Sequence, residues 1–265
     1  KGSSINSSIV SGSLPLYLLK LSGTFISNSS PLFAQYEKIN LVGRFISALF
    51  DIGTLLIIYL LGKKLFNKNV GNLSAFFYAI SVLPIQLSHF YTVDTILNFF
   101  ILLTLYLLIK FYEKPTISNA LLTGATFGFA LGTKISATVI LASIGLALTI
   151  DFLLVFLKNP HRPKIWFPHI PKLIKILIIK GIIVSISAIV VFIIVEPYAL
   201  IDFREFWKQT MQQRQMTYDA FAFPYTLQYV GKTPYFYELK NIFLWGLGPI
   251  LATVSFVGAV YFTIV

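Results

Sequence analysis

Apolar runs close to the length of a membrane crossing follow one another along most of this chain, and they constrain its fold more than any motif does. The run 173–195 is uncharged apart from Lys175 and Lys180. A helix needs about 20 such residues to cross a hydrocarbon layer of ~30 Å. Composition agrees: 56% of the 265 residues are hydrophobic, 12% are charged, and the mean hydropathy is +0.79. The runs are continuous rather than short and alternating, which argues for helices and against a transmembrane β-barrel. The expected fold is therefore all-α, a polytopic transmembrane helix bundle with about seven spans, at residues 41–62, 69–88, 95–112, 119–133, 135–157, 173–195 and 242–262. In the fourth, Gly124, Gly128 and Gly132 make a stripe at every fourth position that lets a neighbouring helix approach closely. Without cysteine there is no disulfide framework, thiolate nucleophile or Cys-based metal site.

The charges give the topology. The net charge of +11 does not call for nucleic acid, because the bases gather in short segments beside the spans. Lys63, Lys64, Lys68, Lys110, Lys114, Lys158, Arg162, Lys164, Lys172 and Lys175 fall in one set of alternating segments. Loops 63–68, 113–118 and 158–172 are accordingly cytoplasmic, and loops 88–95, 132–136 and 196–241 lie outside. Residues 1–40 read as an outer loop with an interfacial stretch at 14–21, ahead of a bundle over 41–265. A second interfacial helix is expected near Asp202–Glu205, where Phe203, Phe206, Trp207, Thr210 and Met211 share a side. The chain opens Lys-Gly without Met, and its last apolar run continues to Val265, so it reads as a piece of a longer protein.

The polar segments assigned to the outer side concentrate the candidate chemistry. Ser88 to Thr95, SHFYTVDT, puts His89 and Asp94 between two spans. Asp94 suits a helix N-cap as well as an acid, and His89 suits an interfacial aromatic as well as a ligand. Arg44 and Asp51 lie seven residues apart on one face of the first span, where mutual pairing explains both without a substrate. Lys134 stands alone among the outer bases between spans, suited to a phosphate or to snorkelling. Tyr225, Gln228 and Tyr229 offer rings and an amide for a sugar, and tyrosines also form interfacial belts.

Taken in order, several strings resemble a known group. They are Gly12-Ser13-Leu14-Pro15-Leu16-Tyr17, Leu41-Val42-Gly43-Arg44, Tyr59-Leu60-Leu61-Gly62, Ser88-His89-Phe90 and Val93-Asp94-Thr95. Gly132-Thr133-Lys134, Glu196-Pro197-Tyr198, Phe223-Pro224-Tyr225 and Trp245-Gly246-Leu247-Gly248 continue the series. The succession is similar to GT-C-type glycosyltransferases that use phospholipid-linked sugars, of the dolichyl-phosphate-mannose protein mannosyltransferase and aminoarabinose transferase kind. The resemblance implies an enzyme of a prokaryotic plasma membrane that moves a sugar from a polyprenyl-phosphate carrier to a protein, lipid or glycan acceptor on the outer face. It implies Asp94 and His89 as catalytic candidates, Arg44 and Lys134 on the donor phosphate, and Tyr225, Gln228 and Tyr229 lining the substrate. It names no certain cofactor and leaves a divalent metal open. The family's principal base belongs to an acidic motif of the first outer loop; residues 1–40 offer only Glu37, so that base is expected upstream of residue 1.

The alternative is a polytopic lipid or polysaccharide transporter, or flippase, that transfers no sugar. It calls for broken helices near the bilayer midplane or for two related halves, and neither stands out in the sequence.

Overall fold

A computed structural model describes residues 12–27, 38–158, 160, 162–221 and 223–264. Among them the regular structure is entirely helical. In chain order the helices are α1 (Leu14–Ser27), α2 (Ile39–Leu65), α3 (Lys68–Ala79), α4 (Val82–Ser88), α5 (Val93–Glu113), α6 (Ile117–Thr133) and α7 (Ile140–Lys158). The short α8 (Pro163–Trp166) and α9 (Ile170–Ile176) lead to α10 (Ile182–Val195), α11 (Tyr198–Ile201), α12 (Phe203–Tyr218), α13 (Phe236–Asn241) and α14 (Pro249–Ile264). The chain divides into two compact units, one holding Leu19–Thr95 and Arg204–Val265, the other Ser11–Leu18 and Ile96–Phe203.

In both units the pattern of burial is that of a protein in lipid. Along α2 the outward positions are Leu41, Phe45, Leu49, Ile52 and Leu56, while Ser47 and Thr54 are fully buried. Thr104, Thr123 and Thr133 are buried as completely in the second unit. A threonine can sit inside a helix bundle because its hydroxyl donates back to the carbonyl one turn earlier: Thr54 to Phe50 (2.9 Å), Thr104 to Phe100 (2.7 Å), Thr133 to Phe129 (2.8 Å). Small and hydroxylated residues inside with large aliphatics outside is what helix packing without a hydrophobic driving force requires.

The second unit is built on α6 and α10, its most extensive helix pair. The glycine stripe is the reason they meet. A Cβ on Gly124 would strike the Val184 carbonyl, one on Gly128 would lie 2.5 Å from the Ala188 oxygen, and one on Gly132 would overlap Val195. Contacts advance along both helices together, so the pair is parallel, and residues 132–134 share an end with Val195 and Glu196. Phe127, Ile140, Ile144, Val184 and Ala188 form the apolar core beside this seam.

In the first unit α2 and α3 make an antiparallel hairpin. Asn67 caps α3 by accepting from Val70 N–H (3.0 Å), and a Cβ on Gly62 would lie 2.9 Å from Gly71 Cα. At the other end of the hairpin Tyr78 donates to Asp51 Oδ1 (2.5 Å).

Among the described residues, helices α2, α5 and the stretch Ile178–Val195 are long and apolar enough to cross a membrane, and two bent pairs raise the number to five, so the seven spans of the sequence reading are not confirmed. Helix stands at all seven places, but α6 and α14 have only 17 and 16 residues. The expected span 69–88 is broken, α3 and α4 meeting at 61°. Pro84 is the cause: it has no N–H for the Ile80 carbonyl one turn back, and its ring clashes with that carbonyl. The expected span 242–262 starts as a π-helical turn, Ile242–Gly246, and is interrupted by Gly248 at φ +84° before Pro249 opens α14.

Candidate functional site

In the first unit, Arg44 and the SHFYTVDT segment come together. Arg44 is exposed near the start of α2, and its guanidinium carbon lies 6.0 Å from the centre of the Phe90 ring, within cation–π range. One residue earlier, a Cβ on Gly43 would lie 2.7 Å from the Tyr91 ring. The absent side chain is thus what lets the segment lie against α2. Tyr91 is half-buried there, and burial pushes its phenol up to about 12, so it acts as a neutral hydrogen-bonding group at any physiological pH.

His89 follows the last turn of α4 with Nδ1 2.6 Å from the Ile85 carbonyl. A carbonyl only accepts, so Nδ1 carries the proton and Nε2 is the basic nitrogen. Asp94 lies in the first turn of α5, exposed, where a carboxylate complements the helix dipole. The N-cap reading of Asp94 is not met, because α5 already opens at Val93. The expected Arg44–Asp51 pairing is not made: Asp51 takes the Tyr78 hydroxyl, and Arg44 turns to Phe90.

Lys134 belongs to the second unit, at the C-terminal cap of α6, half-buried, with its N–H on the Ala130 carbonyl (3.0 Å). Beside it the chain does something the sequence reading missed. Gly12 N–H donates to the Thr133 carbonyl (3.0 Å), and Glu196, only 2% exposed, accepts from Ser13 N–H (2.6 Å) and Ser13 Oγ (3.1 Å). Gly12 fits only because it has no side chain, since a Cβ would collide with the Gly132 carbonyl. Burial raises the Glu196 carboxyl above its ordinary value, and the two Ser13 donors oppose that only in part. Residues 12–13, 132–134 and 196 therefore form one polar end of this unit around a buried carboxyl group. Glu196 and Ser13 are 183 positions apart, and the only sequence signal was that both fall in strings that carry the family resemblance.

The substrate-lining candidates return to the first unit. Tyr225 and Tyr229 line a cavity of about 540 Å³ in the segment after α12, whereas Gln228 folds its amide back onto the Tyr225 carbonyl (3.0 Å). Buried Thr226 pins the turn, accepting from Phe223 N–H (3.2 Å) and donating to the Ala220 carbonyl (2.9 Å). On the far rim, Tyr235 adopts φ +65°, ψ −41°, with Phe236 N–H on the Pro234 carbonyl (2.8 Å). This is the rare positive-φ γ-turn, which costs a bulky residue about 1–3 kcal/mol.

Among the described residues no three His, Asp or Glu side chains come together to hold a metal. Glu37 lies outside the described residues.

A comparison with known families matches residues 31–180 to dolichyl-phosphate-mannose-protein mannosyltransferase. The chain belongs to that family. Membership makes it an integral-membrane glycosyltransferase that draws on polyprenyl-phosphate-linked sugar donors, with a glycan or protein as acceptor. The matched segment takes in Arg44, His89, Asp94 and Lys134 and ends before Glu196 and the tyrosine segment. Neither a curated protein nor a solved structure matches the chain.

Proposed function

We propose that this mannosyltransferase-family chain passes a sugar from a polyprenyl-phosphate carrier to an acceptor hydroxyl on the extracytoplasmic face of a prokaryotic plasma membrane. The observation that carries the assignment of residues is the meeting of Arg44 with Phe90, next to His89. In the reaction the acceptor oxygen bonds to the anomeric carbon as that carbon's bond to phosphate oxygen breaks. The hydroxyl proton goes to a carboxylate, and the carrier leaves as a phosphate monoester. Arg44 and Lys134 are the candidates for the donor phosphate: a cation beside the leaving group stabilises the negative charge that develops there. Asp94 and His89 orient the reacting groups, His89 through its Nε2. Tyr225 and Tyr229 line the path of the transferred sugar or its acceptor, whereas Gln228, also expected there, turns its amide back onto the Tyr225 carbonyl.

Extracytoplasmic chemistry is supported by the charge pattern, which leaves SHFYTVDT without a lysine or arginine while Lys63, Lys64, Lys110 and Lys114 crowd the opposite ends of their helices. Lys63 and Lys110 each lie over a tyrosine one turn back, Tyr59 at 6.0 Å and Tyr106 at 5.4 Å, as anchors at a membrane interface do.

The test is donor binding by the full-length protein in nanodiscs. Arg44→Gln is expected to weaken the affinity for a polyprenyl-phosphate sugar about tenfold or more, the loss of one charge-assisted contact, with the thermal midpoint unchanged. Wild-type affinity in the variant would remove Arg44 from the donor site.

A further inference from the structure

The cavity after α12 has a chemistry of its own. Its 540 Å³ lie within the roughly 300–1,000 Å³ of ligand pockets. Four tyrosines line it, Tyr218 among them, and two of the four meet edge to face: the Tyr229 and Tyr237 rings stand 5.7 Å apart at 89°, so they make a right-angled aromatic corner. Tyr225 is stacked on Phe223 (5.6 Å, 22°), and its hydroxyl is tied to Met216 Sδ (3.0 Å), which holds its ring in place. Between the rings the lining offers the Gln213 amide, the Thr233 hydroxyl, the Lys232 ammonium and the Glu238 carboxylate.

Charge decides what such a cavity takes. One base and one acid leave the lining formally neutral, and the Lys232 amine already lies 5.7 Å from the Tyr237 ring. Lipid phosphate and nucleic acid both call for an excess of cations. A peptide bound by strand addition wants an open sheet edge, and there is no strand among the described residues. The lining suits an uncharged molecule with an apolar face for an aromatic ring and a rim of hydroxyls for amide, carboxylate and ammonium groups, which describes a pyranose. The strained turn at Tyr235 adds a second mark, because positive-φ bulky residues cluster at ligand clamps. Pro234, the residue whose carbonyl closes that turn, lines the cavity.

We infer that this cavity is a carbohydrate-binding site that seats the acceptor, and that the acceptor is therefore a neutral glycan rather than a peptide. The inference rests on the transferase reading above and narrows its acceptor. Tyr229 and Tyr237 supply the platform, Gln213 and Glu238 bind hydroxyls, and Gln228, turned back on its own turn, takes no part.

Saturation-transfer NMR on the full-length protein in nanodiscs, with mannotriose and maltotriose as probes and no donor present, tests it. The wild type is expected to give saccharide signals. Tyr237→Ala should weaken binding about tenfold, as loss of one aromatic contact implies. Thr233→Trp, an exposed position where bulk is tolerated, should block the cavity and abolish the signals. Tyr229→Phe keeps the ring and should retain them, which separates loss of the platform from misfolding. No signal in the wild type, signals that survive Thr233→Trp, or displacement of both saccharides by an unglycosylated peptide would overturn the inference. Failure of the transferase reading shows separately, as wild-type protein that never consumes a lipid-linked sugar.

Discussion

Replacing Gly128 by alanine tests the seam on which the second unit is built. The added Cβ would lie 2.5 Å from the Ala188 carbonyl oxygen and 2.9 Å from Val191 Cβ, both on the backbone-proximal side of α10, where nothing can rotate away. Ordinary contact needs about 3.4 Å or more, so α6 and α10 must part by roughly 1 Å. A gap of ~0.5–1 Å forfeits a quarter to a half of the attraction between the facing atoms. Overpacking of this kind costs about 1–3 kcal/mol, and for a chain of this size each kcal/mol moves the thermal midpoint by ~2–4 °C. The apparent midpoint of Gly128→Ala, followed by tryptophan fluorescence in detergent, should fall by roughly 3–10 °C. The control is Gly145 in α7, which has nothing within 4 Å of a built Cβ. There alanine removes only backbone entropy and should be neutral or stabilising by about 0.5–1 kcal/mol. A Gly128→Ala protein as stable as wild type, or a Gly145→Ala protein equally damaged, would refute close packing at the stripe as the cause.

Three further outcomes follow from named contacts. Burial raises the Glu196 pKa, so its folded carboxyl holds a proton above the unfolded value; the stabilisation is complete below the unfolded pKa and is lost as pH rises through the folded one. Midpoints scanned over about pH 4 to 8 should therefore decline in wild type relative to Glu196→Gln, and parallel curves would contradict the buried carboxyl. Tyr78→Phe strips Asp51 of its donor within the α2–α3 hairpin and should cost about 1.5–3 kcal/mol, whereas Tyr78→Phe combined with Asp51→Leu should recover most of that; additive losses would deny the pair. Because the sequence has no cysteine, single substitutions report the side of the membrane cleanly. Ser88→Cys should react with an impermeant maleimide on intact cells and Lys114→Cys only after permeabilisation, and the reverse would invert the assigned topology.

How much of this the sequence discloses depends on how local each cause is. Helix identity, the lipid-facing apolar runs and the glycine stripe are local patterns, and the stripe at 124, 128 and 132 packs as its spacing demands. The break at Ile80–Ser81 was also local, yet the apolar run outweighed Pro84 in the reading of 69–88 as one span. The partners of Arg44 and Asp51 were misjudged because helical spacing places two residues on one face without saying what stands opposite each of them. Tyr78 and Phe90 answer that, and both arrive from other helices or loops. The Ser13–Glu196 contact and the turn at Tyr235 have no local signature: one joins segments 183 positions apart, and the other puts a non-glycine residue at positive φ. Of the candidate residues, Arg44 and the His89 segment could be grouped only with coordinates, while Lys134 declared itself by standing alone among charges of the opposite topology.

The central claim is that this chain handles a lipid-phosphate-linked sugar with Lys134 in its donor site. The most direct measurement follows loss of label from radiolabelled polyprenyl-phosphate sugars, in nanodiscs supplied with acceptor-containing membranes, by the full-length wild type and by Lys134→Ala. The account predicts donor-dependent loss in the wild type and a fall of at least tenfold in the variant at equal amounts of folded protein. No loss in either across several donor sugars would contradict the transferase account, and equal loss in both would take Lys134 out of the site.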